Sequence, residues 1–317
     1  MDIEYLLWLQ DLRDASGTWL PNLMIAITKV AVGAVPLAVI CLIYWIFDRQ
    51  IGKRIIGGLV AGLFMNGLLK LIFCTYRPWI RDSRIKPYGD VIATAGGYSF
   101  PSGHTTCASA CYGGIAKWQR RKGHIVPFIL IWAFVALIMF SRNFLGVHTP
   151  QDVLVGFVVT MLLMDLVYHL EAWTDADPDK RDVIVMVAGI AISIAAAIFY
   201  LVKPYPTDYA ADGSLLVDPA EMINDSFKGI GLMVGYVVAR YFERRGFDFE
   251  GELTRRERVA CAVVALIPLV IAYKAAESLL PQLIGTACSN VVIYGVLLLY
   301  VMVAVPAAMS LVPKRRK

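Results

Sequence analysis

The chain has 317 residues, of which 58% are hydrophobic and only 17% are charged, and its mean hydropathy is +0.62. This composition excludes an ordinary soluble globular protein, because long apolar stretches with charges confined between them are typical of polytopic membrane proteins. The apolar runs are about 20 residues long and uniform rather than alternating, which favours helices over a transmembrane barrel. We therefore predict an all-α, multi-pass membrane protein.

The N-terminal segment, residues 1–19, begins with Asp2 and Glu4, where a cleavable signal peptide would be basic, and we expect it to lie at the membrane interface. The apolar runs that follow predict nine spans, the first of which is interrupted by Lys29. The spans lie near 20–47, 52–73, 103–117, 125–142, 149–170, 183–202, 222–240, 259–280 and 284–309.

The basic residues indicate an orientation. Of the 30 Lys and Arg residues, 19 fall in loops on one side, including the tail Lys314–Lys317, and the positive-inside rule assigns that side to the cytoplasm. The N-terminus is then outside and the C-terminus inside, in the cell (inner) membrane. Most of the remaining basic residues gather near the outer ends of three spans, which predicts an anionic ligand there. These residues are Lys29, Lys70, Arg77, Arg81, Arg84, Lys86 and Arg142.

The outer end of the second span carries Lys70, Arg77 and Pro78. A helix would place Lys70 and Arg77, which are seven residues apart, on one face. Pro78 either ends that helix or biases Arg77 towards an extended conformation. The alternative is a pair of cations that snorkel to the interface.

The third span is preceded by Pro101-Ser102-Gly103-His104. A helix that starts here presents free N–H groups and the positive end of its dipole to an anion, and Gly103 lets a phosphate approach the backbone. His104 points into the same volume. An ordinary helix cap with an incidental histidine is the alternative.

The turn between the fourth and fifth spans carries Arg142, His148 and Asp152. His148 and Asp152 are four residues apart, so the carboxylate can reach a ring nitrogen, fix the tautomer and leave the other nitrogen free to attack. Thr149-x-x-Asp152 also reads as a capping box, and the two roles are compatible.

In this order, K-x6-RP, PSGH and SR-x5-H-x3-D resemble the three-part motif of the type 2 phosphatidic acid phosphatase superfamily. The resemblance covers roughly residues 20–202, which it implies are a six-helix phosphatase core. Residues 203–317 are expected to be an extension of about three transmembrane helices, and residues 1–19 an interfacial segment.

By resemblance, His148 is the nucleophile, Asp152 orients its ring, and His104 protonates the leaving group and then activates water. The phosphate-binding residues are expected to be Lys70, Arg77, Ser102, Gly103 and Arg142. No metal or other cofactor is expected, because three cations can neutralise the phosphate. No nucleic-acid partner is expected.

The resemblance implies a lipid phosphate substrate, such as undecaprenyl diphosphate, phosphatidylglycerol phosphate or phosphatidic acid. The third span, ending near Lys117, is expected to be about 22 Å long, so its catalytic start should be recessed near the outer headgroups. Two alternatives stay open: a phosphatase for a small soluble ester, like glucose-6-phosphatase, and an anion transporter that uses the basic cluster.

Overall fold

The structure is a computed structural model, and it describes residues 2–246 and 253–312. The predicted basic tail at 314–317 lies outside these residues. Within the described ranges the chain is all α-helix and turn, without a β-strand, as predicted. The helices are α1 (Asp2–Ala15), α2 (Trp19–Lys29), α3 (Ala34–Leu42), α4 (Arg49–Phe73), α5 (Pro78–Arg81), α6 (Gly103–Arg121), α7 (Ile125–Phe144), α8 (Pro150–Asp175), α9 (Pro178–Val202), α10 (Pro219–Gly246), α11 (Arg255–Ile284), α12 (Thr286–Leu299) and α13 (Val305–Ser310).

Six helical segments in the described ranges are long and apolar enough to cross a membrane, and a bent pair formed by α2 and α3 makes a seventh. The bend of 47° follows Lys29, where the sequence predicted an interruption. The two other predicted spans, α6 and α10, are long helices but too polar to qualify. Both contain many buried residues, among them Ser109 and Arg240, so their polar groups face the interior of the bundle. The chain is thus a multi-pass membrane protein with two polar central helices.

One predicted side-chain arrangement and one predicted helix boundary are wrong. α4 ends at Phe73, as the predicted span 52–73 does, because Cys74 adopts a left-handed conformation (φ 47°), so Lys70 and Arg77 do not share one helix face. α6 continues to Arg121 and has 19 residues, or about 28 Å, which nearly matches the hydrocarbon thickness of about 30 Å. The predicted recess of its start therefore does not follow from its length.

Because neighbouring helices run antiparallel, the predicted site motifs and the basic loops lie at opposite ends of the bundle. The start of α4, the end of α6 and the start of α9 lie at one end of the bundle, with Arg49, Lys117 and Lys180. The end of α4 and the starts of α6 and α8 lie at the other end. The three motifs therefore share one end of the molecule.

α1 packs on that motif-bearing end with Leu6 and Leu9, which are buried against the region of Phe144 and Val147. Its acidic residues pair with the end of α5 and the segment that follows it: Asp2 Oδ2 lies 2.9 Å from Arg81 Nη2, and Glu4 Oε1 lies 3.1 Å from Arg84 Nη2. Arg13 is also buried and donates to the carbonyl oxygen of Lys86 at 2.8 Å. α1 therefore holds the segment 81–86 in place.

The C-terminal helices are packed on the rest of the bundle. α10 lies against α4, α9 and α12. At the basic end, the buried carboxylate of Glu243 binds Arg49 at 2.6 Å, and Arg240 binds the buried Asp182 at 2.6 Å. These ion pairs join α10 to α4 and to α9.

Candidate active site

The first motif supplies two cations, the half-buried Lys70 and the buried Arg77. Lys70, one turn before the end of α4, donates to the backbone oxygens of Tyr98 and Ser99. Arg77, in an extended conformation (ψ 154°) just before Pro78, donates to the carbonyl oxygens of Gly96 and Gly97 at 3.1 Å. The prediction that Pro78 holds Arg77 extended is confirmed. Both cations therefore face the loop before Pro101, although α4 ends between them.

Arg142, at the end of α7, is fully buried, and its hydrogen bonds are incomplete. Its Nη1 donates to Thr28 Oγ1 at 3.0 Å, while its Nε and Nη2 have no partner among the described residues. A buried charge costs several kcal/mol unless hydrogen bonds compensate for it. Arg142 therefore presents two unused donors, suited to an anion.

His148 and Asp152 meet as their spacing predicts. Asp152 Oδ2 lies 3.4 Å from His148 Nδ1, and it also accepts from Ser99 Oγ at 2.6 Å and from the Thr149 backbone N–H at 2.8 Å. Thr149 and Asp152 form a full capping box at the start of α8. The orienting and capping contacts therefore coexist on one carboxylate.

The neighbours of the His148 ring indicate its tautomer. A carboxylate can only accept and an arginine can only donate. Asp152 therefore favours a proton on Nδ1, and Arg77 Nη1, 2.9 Å from Nε2 and 3.4 Å from Nδ1, favours a bare Nε2. Burial lowers the pKa of His148 well below its usual range, and Arg77 acts in the same direction. The ring is thus neutral, with Nε2 as its basic atom.

The second motif opens α6 as predicted. Ser102 is the N-cap and accepts from the Thr105 N–H at 3.4 Å, and its own N–H is bound to the Asp152 carbonyl oxygen at 2.9 Å. The backbone N–H groups of Gly103 and His104 have no acceptor in the described chain. A Cβ on Gly103 would meet only Asn66 Oδ1, at 3.6 Å, so space remains in front of this helix start.

His104 completes the arrangement. Its ring makes no hydrogen bond to any described residue, and it lies in the electrostatic field of Arg142, Arg77 and Lys70. The structure therefore brings together all eight predicted site residues. They are Lys70, Arg77, Ser102, Gly103, His104, Arg142, His148 and Asp152.

Fewer residues of the predicted outer basic cluster belong to the site than expected. Arg81 and Arg84 pair with Asp2, Glu4 and Asp82, and Lys29 is exposed at the end of α2. Their charges are compensated or solvated outside the site. The expectation of an anionic ligand therefore rests on Lys70, Arg77 and Arg142.

Several supporting residues were not predicted. Asn66 donates to the Pro101 carbonyl oxygen at 3.1 Å and to Thr106 Oγ1 at 3.3 Å, which fixes the start of α6 against α4. Asn143 donates to the His148 carbonyl oxygen at 2.8 Å. Ser99 and Thr28 contact Asp152 and Arg142, as described above. A polar residue inside an apolar span is a functional signal, so Asn66 was open to prediction.

The loop 96–99 packs against α10 on the side away from Arg77. Gly97 has φ +69°, and a Cβ added there would lie 1.7 Å from Met222 Sδ. The same residue accepts from Arg77 through its carbonyl oxygen at 3.1 Å. Met222 therefore packs directly behind the backbone that positions Arg77.

Residues 52–175, which contain every predicted site residue, match the family model of the PAP2 superfamily. Undecaprenyl-diphosphatase BcrC of Bacillus subtilis (strain 168) is 30% identical over 193 residues, which cover 60% of this chain and 89% of that relative. The chain belongs to the PAP2 superfamily. This PAP2 chain is also similar to phosphatidylglycerophosphatase B of the same organism, 31% identical over 47% of this chain and 74% of the relative.

A third relative is the lipid A 4'-phosphatase of Porphyromonas gingivalis, 29% identical over 38% of this chain and 50% of the relative. No solved structure gives a significant match. The three relatives are named as phosphatases of membrane lipids, so the family and the lipid-phosphatase function predicted for this PAP2 chain are confirmed. The individual roles of its site residues stay predictions.

Proposed function

We propose that this PAP2 protein removes the terminal phosphate of a lipid phosphate through a phosphohistidine on His148, without a metal ion. The observation that carries the proposal is the buried Arg142, whose Nε and Nη2 lack partners. A phosphate would supply the missing acceptors. The free N–H groups at the start of α6 are suited to bind the same anion.

In the proposed reaction, Nε2 of His148 attacks phosphorus as the bond to the leaving oxygen breaks. Asp152 stabilises the ring through the proton on Nδ1, and His104 gives a proton to the leaving oxygen. His104 then takes a proton from water, which attacks the phosphohistidine and releases inorganic phosphate. The phosphate must draw Arg77 towards itself, because Arg77 Nη1 lies 2.9 Å from Nε2.

Charge neutralisation supports a metal-free reaction. The transferred phosphoryl group carries close to two negative charges, spread over three oxygens. Lys70, Arg77 and Arg142 provide three positive charges, with Arg77 and Arg142 able to bind two oxygens each. Preorganised donors of this kind contribute about 3–4 kcal/mol each to stabilisation of the transition state.

A lipid substrate is supported by the position of the site at one end of a multi-pass bundle, and by the names of the relatives. Undecaprenyl diphosphate, phosphatidylglycerol phosphate and phosphatidic acid all present a terminal phosphate that this site can bind. We propose that this end faces the outside of the cell (inner) membrane, because most basic loops lie at the other end. The core is proposed to be 20–202, with 203–317 as the extension.

The purified protein is expected to release phosphate from long-chain lipid phosphates in the presence of a metal chelator. Turnover should exceed that on short-chain or water-soluble phosphates, because binding of the lipid tail holds the phosphate in the site. Phosphate release would be measured over a panel of the three lipids and a soluble ester. Activity confined to soluble esters would favour the glucose-6-phosphatase alternative, and the absence of any release would favour an anion transporter.

The orientation can be tested with two matched cysteines in a variant that lacks the six native ones. Tyr209→Cys, in the exposed loop before α10, is expected to react with a membrane-impermeant maleimide on intact cells. His124→Cys, in the exposed turn before α7, should react only after permeabilisation. The reverse pattern would place the candidate site on the cytoplasmic side.

A further inference from the structure

A second cavity lies at the opposite end of the bundle from His148. Its volume is about 380 Å³, and it is enclosed by α4, α6, α7 and α8. Arg54, which lines it, is 16 residues before Lys70 on α4, a separation of about 24 Å along the helix. The cavity is therefore separate from the candidate active site.

Four cations line this cavity: Arg54, Lys117, Arg120 and Arg121. A single carboxylate faces them from the lining, Asp165, and it lies 3.5 Å from His169. Arg54 also binds Glu171 at 2.9 Å. Two positive charges remain after both carboxylates are counted, so the cavity favours an anion.

The cations differ in their contacts. Arg54 and Arg121 both pack on the Tyr168 ring, at 4.8 and 5.0 Å from its centroid, which holds their guanidinium groups near the cavity. The side chains of Lys117 and Arg120 make no ion pair or hydrogen bond to any residue that the structure describes. The cavity thus combines two fixed guanidinium groups with two uncompensated cations.

The rest of the lining is apolar. Ile55, Met164 and Phe128 form part of it. The neighbouring outward surfaces of α7 and α8 are apolar as well, with Leu130 63% and Leu162 66% exposed. A cationic rim above an apolar floor that continues onto lipid-facing surface fits an amphiphile better than a free anion.

We propose that this cavity binds the phosphate headgroup of an anionic phospholipid from the leaflet at the basic end of the bundle. The headgroup lies against Lys117 and Arg120, and the acyl chains run along the apolar surfaces of α7 and α8. The lipid is a bound component and not a substrate, because none of the described lining residues is a histidine, and the carboxylate of Asp165 pairs with the exposed His169.

The test is a competition between two lipids for the purified full-length protein, read by native mass spectrometry. Phosphatidylglycerol is a suitable probe, because its diester phosphate has no terminal phosphate to remove. The wild-type protein is expected to retain phosphatidylglycerol over phosphatidylcholine. Lys117→Gln/Arg120→Gln should reduce that preference by about thirtyfold, which corresponds to about 1 kcal/mol for each of the two basic residues.

The matched control is Lys180→Gln/Arg256→Gln, which removes two exposed charges from the same end of the bundle, away from the cavity. It should keep the preference, and so should the charge-conserving Lys117→Arg/Arg120→Lys. An unchanged preference in Lys117→Gln/Arg120→Gln would overturn the proposal. Displacement of the lipid by millimolar glycerol phosphate would overturn it too, since it would indicate a site for free phosphate. Retained turnover in each variant establishes that it is folded.

Discussion

His148→Ala is expected to reduce turnover by at least about 10⁴-fold, because it removes the proposed nucleophile and not only a binding contact. The loss should be in kcat, with lipid binding largely retained, since Arg142 and the start of α6 remain. Brief incubation with ³²P-labelled lipid phosphate, followed by denaturation at high pH, should detect no phosphoenzyme. Phosphohistidine is acid-labile and base-stable, so the label must be followed under alkaline conditions.

His104→Ala is the matched control for this experiment. A substrate with a good leaving group, such as an aryl phosphate, needs little help from a general acid, so phosphorylation of His148 should continue. Hydrolysis of the intermediate should be slow without the base, and labelled phosphoenzyme should accumulate. Labelled phosphoenzyme in His148→Ala would contradict the assignment of the nucleophile.

Arg142→Lys is expected to lower kcat/KM by about 10²–10³-fold, although it conserves the charge. The Nε and Nη2 donors form a rigid fork with a fixed direction, and Thr28 holds the remaining nitrogen at 3.0 Å. Lysine would offer a single ammonium group that cannot keep the Thr28 contact and bind two oxygens. Steady-state kinetics on a lipid phosphate measure the loss, and a change of less than twofold would exclude Arg142 from phosphate binding.

A second substitution of Arg142 tests its effect on thermal stability. The Arg142 charge is buried with unused donors, so Arg142→Met should leave thermal stability unchanged or raise it when no anion has been added. Vanadate or phosphate should stabilise the wild-type protein and not this variant, by the linkage between binding and folding. Arg240→Lys is the comparison at the other end of the bundle. Arg240 binds Asp182 and Thr174, and its replacement should affect stability without affecting kcat.

The sequence predicted which residues lie together better than it predicted the helices that carry them. Motif residues are tied to chemistry, so Lys70, His104 and His148 could be recognised without knowing their surroundings. The separation of Arg77 from the helix face of Lys70 could not be predicted, because it depends on Cys74, a non-glycine residue in a left-handed conformation, and such residues are uncommon. The polar character of α6 and α10 likewise reflects burial against neighbours, which hydropathy along one segment does not detect.

Some of the supporting contacts could have been predicted from the sequence, and others could not. Asn66 stands one turn before Lys70 in an apolar span, and that position alone marks it as a functional candidate. Ser99 carries no such signal: it lies in an irregular loop, and only the folded chain brings its hydroxyl within 2.6 Å of Asp152. Thr28 accepts a hydrogen bond from Arg142, which lies 114 residues later in the sequence, and no local sequence pattern predicts this contact.

The contact between Met222 and Gly97 bears on how this enzyme could be shortened or transplanted. The three motifs end at Asp152, and a minimal catalyst cut after α9 would retain all of them. It would lose the thioether that lies behind Gly97, and with it the support for the carbonyl oxygen that binds Arg77. A graft of the motifs onto a smaller bundle would therefore need a substitute for that side chain, since the last third of the chain shapes a loop that the first half supplies.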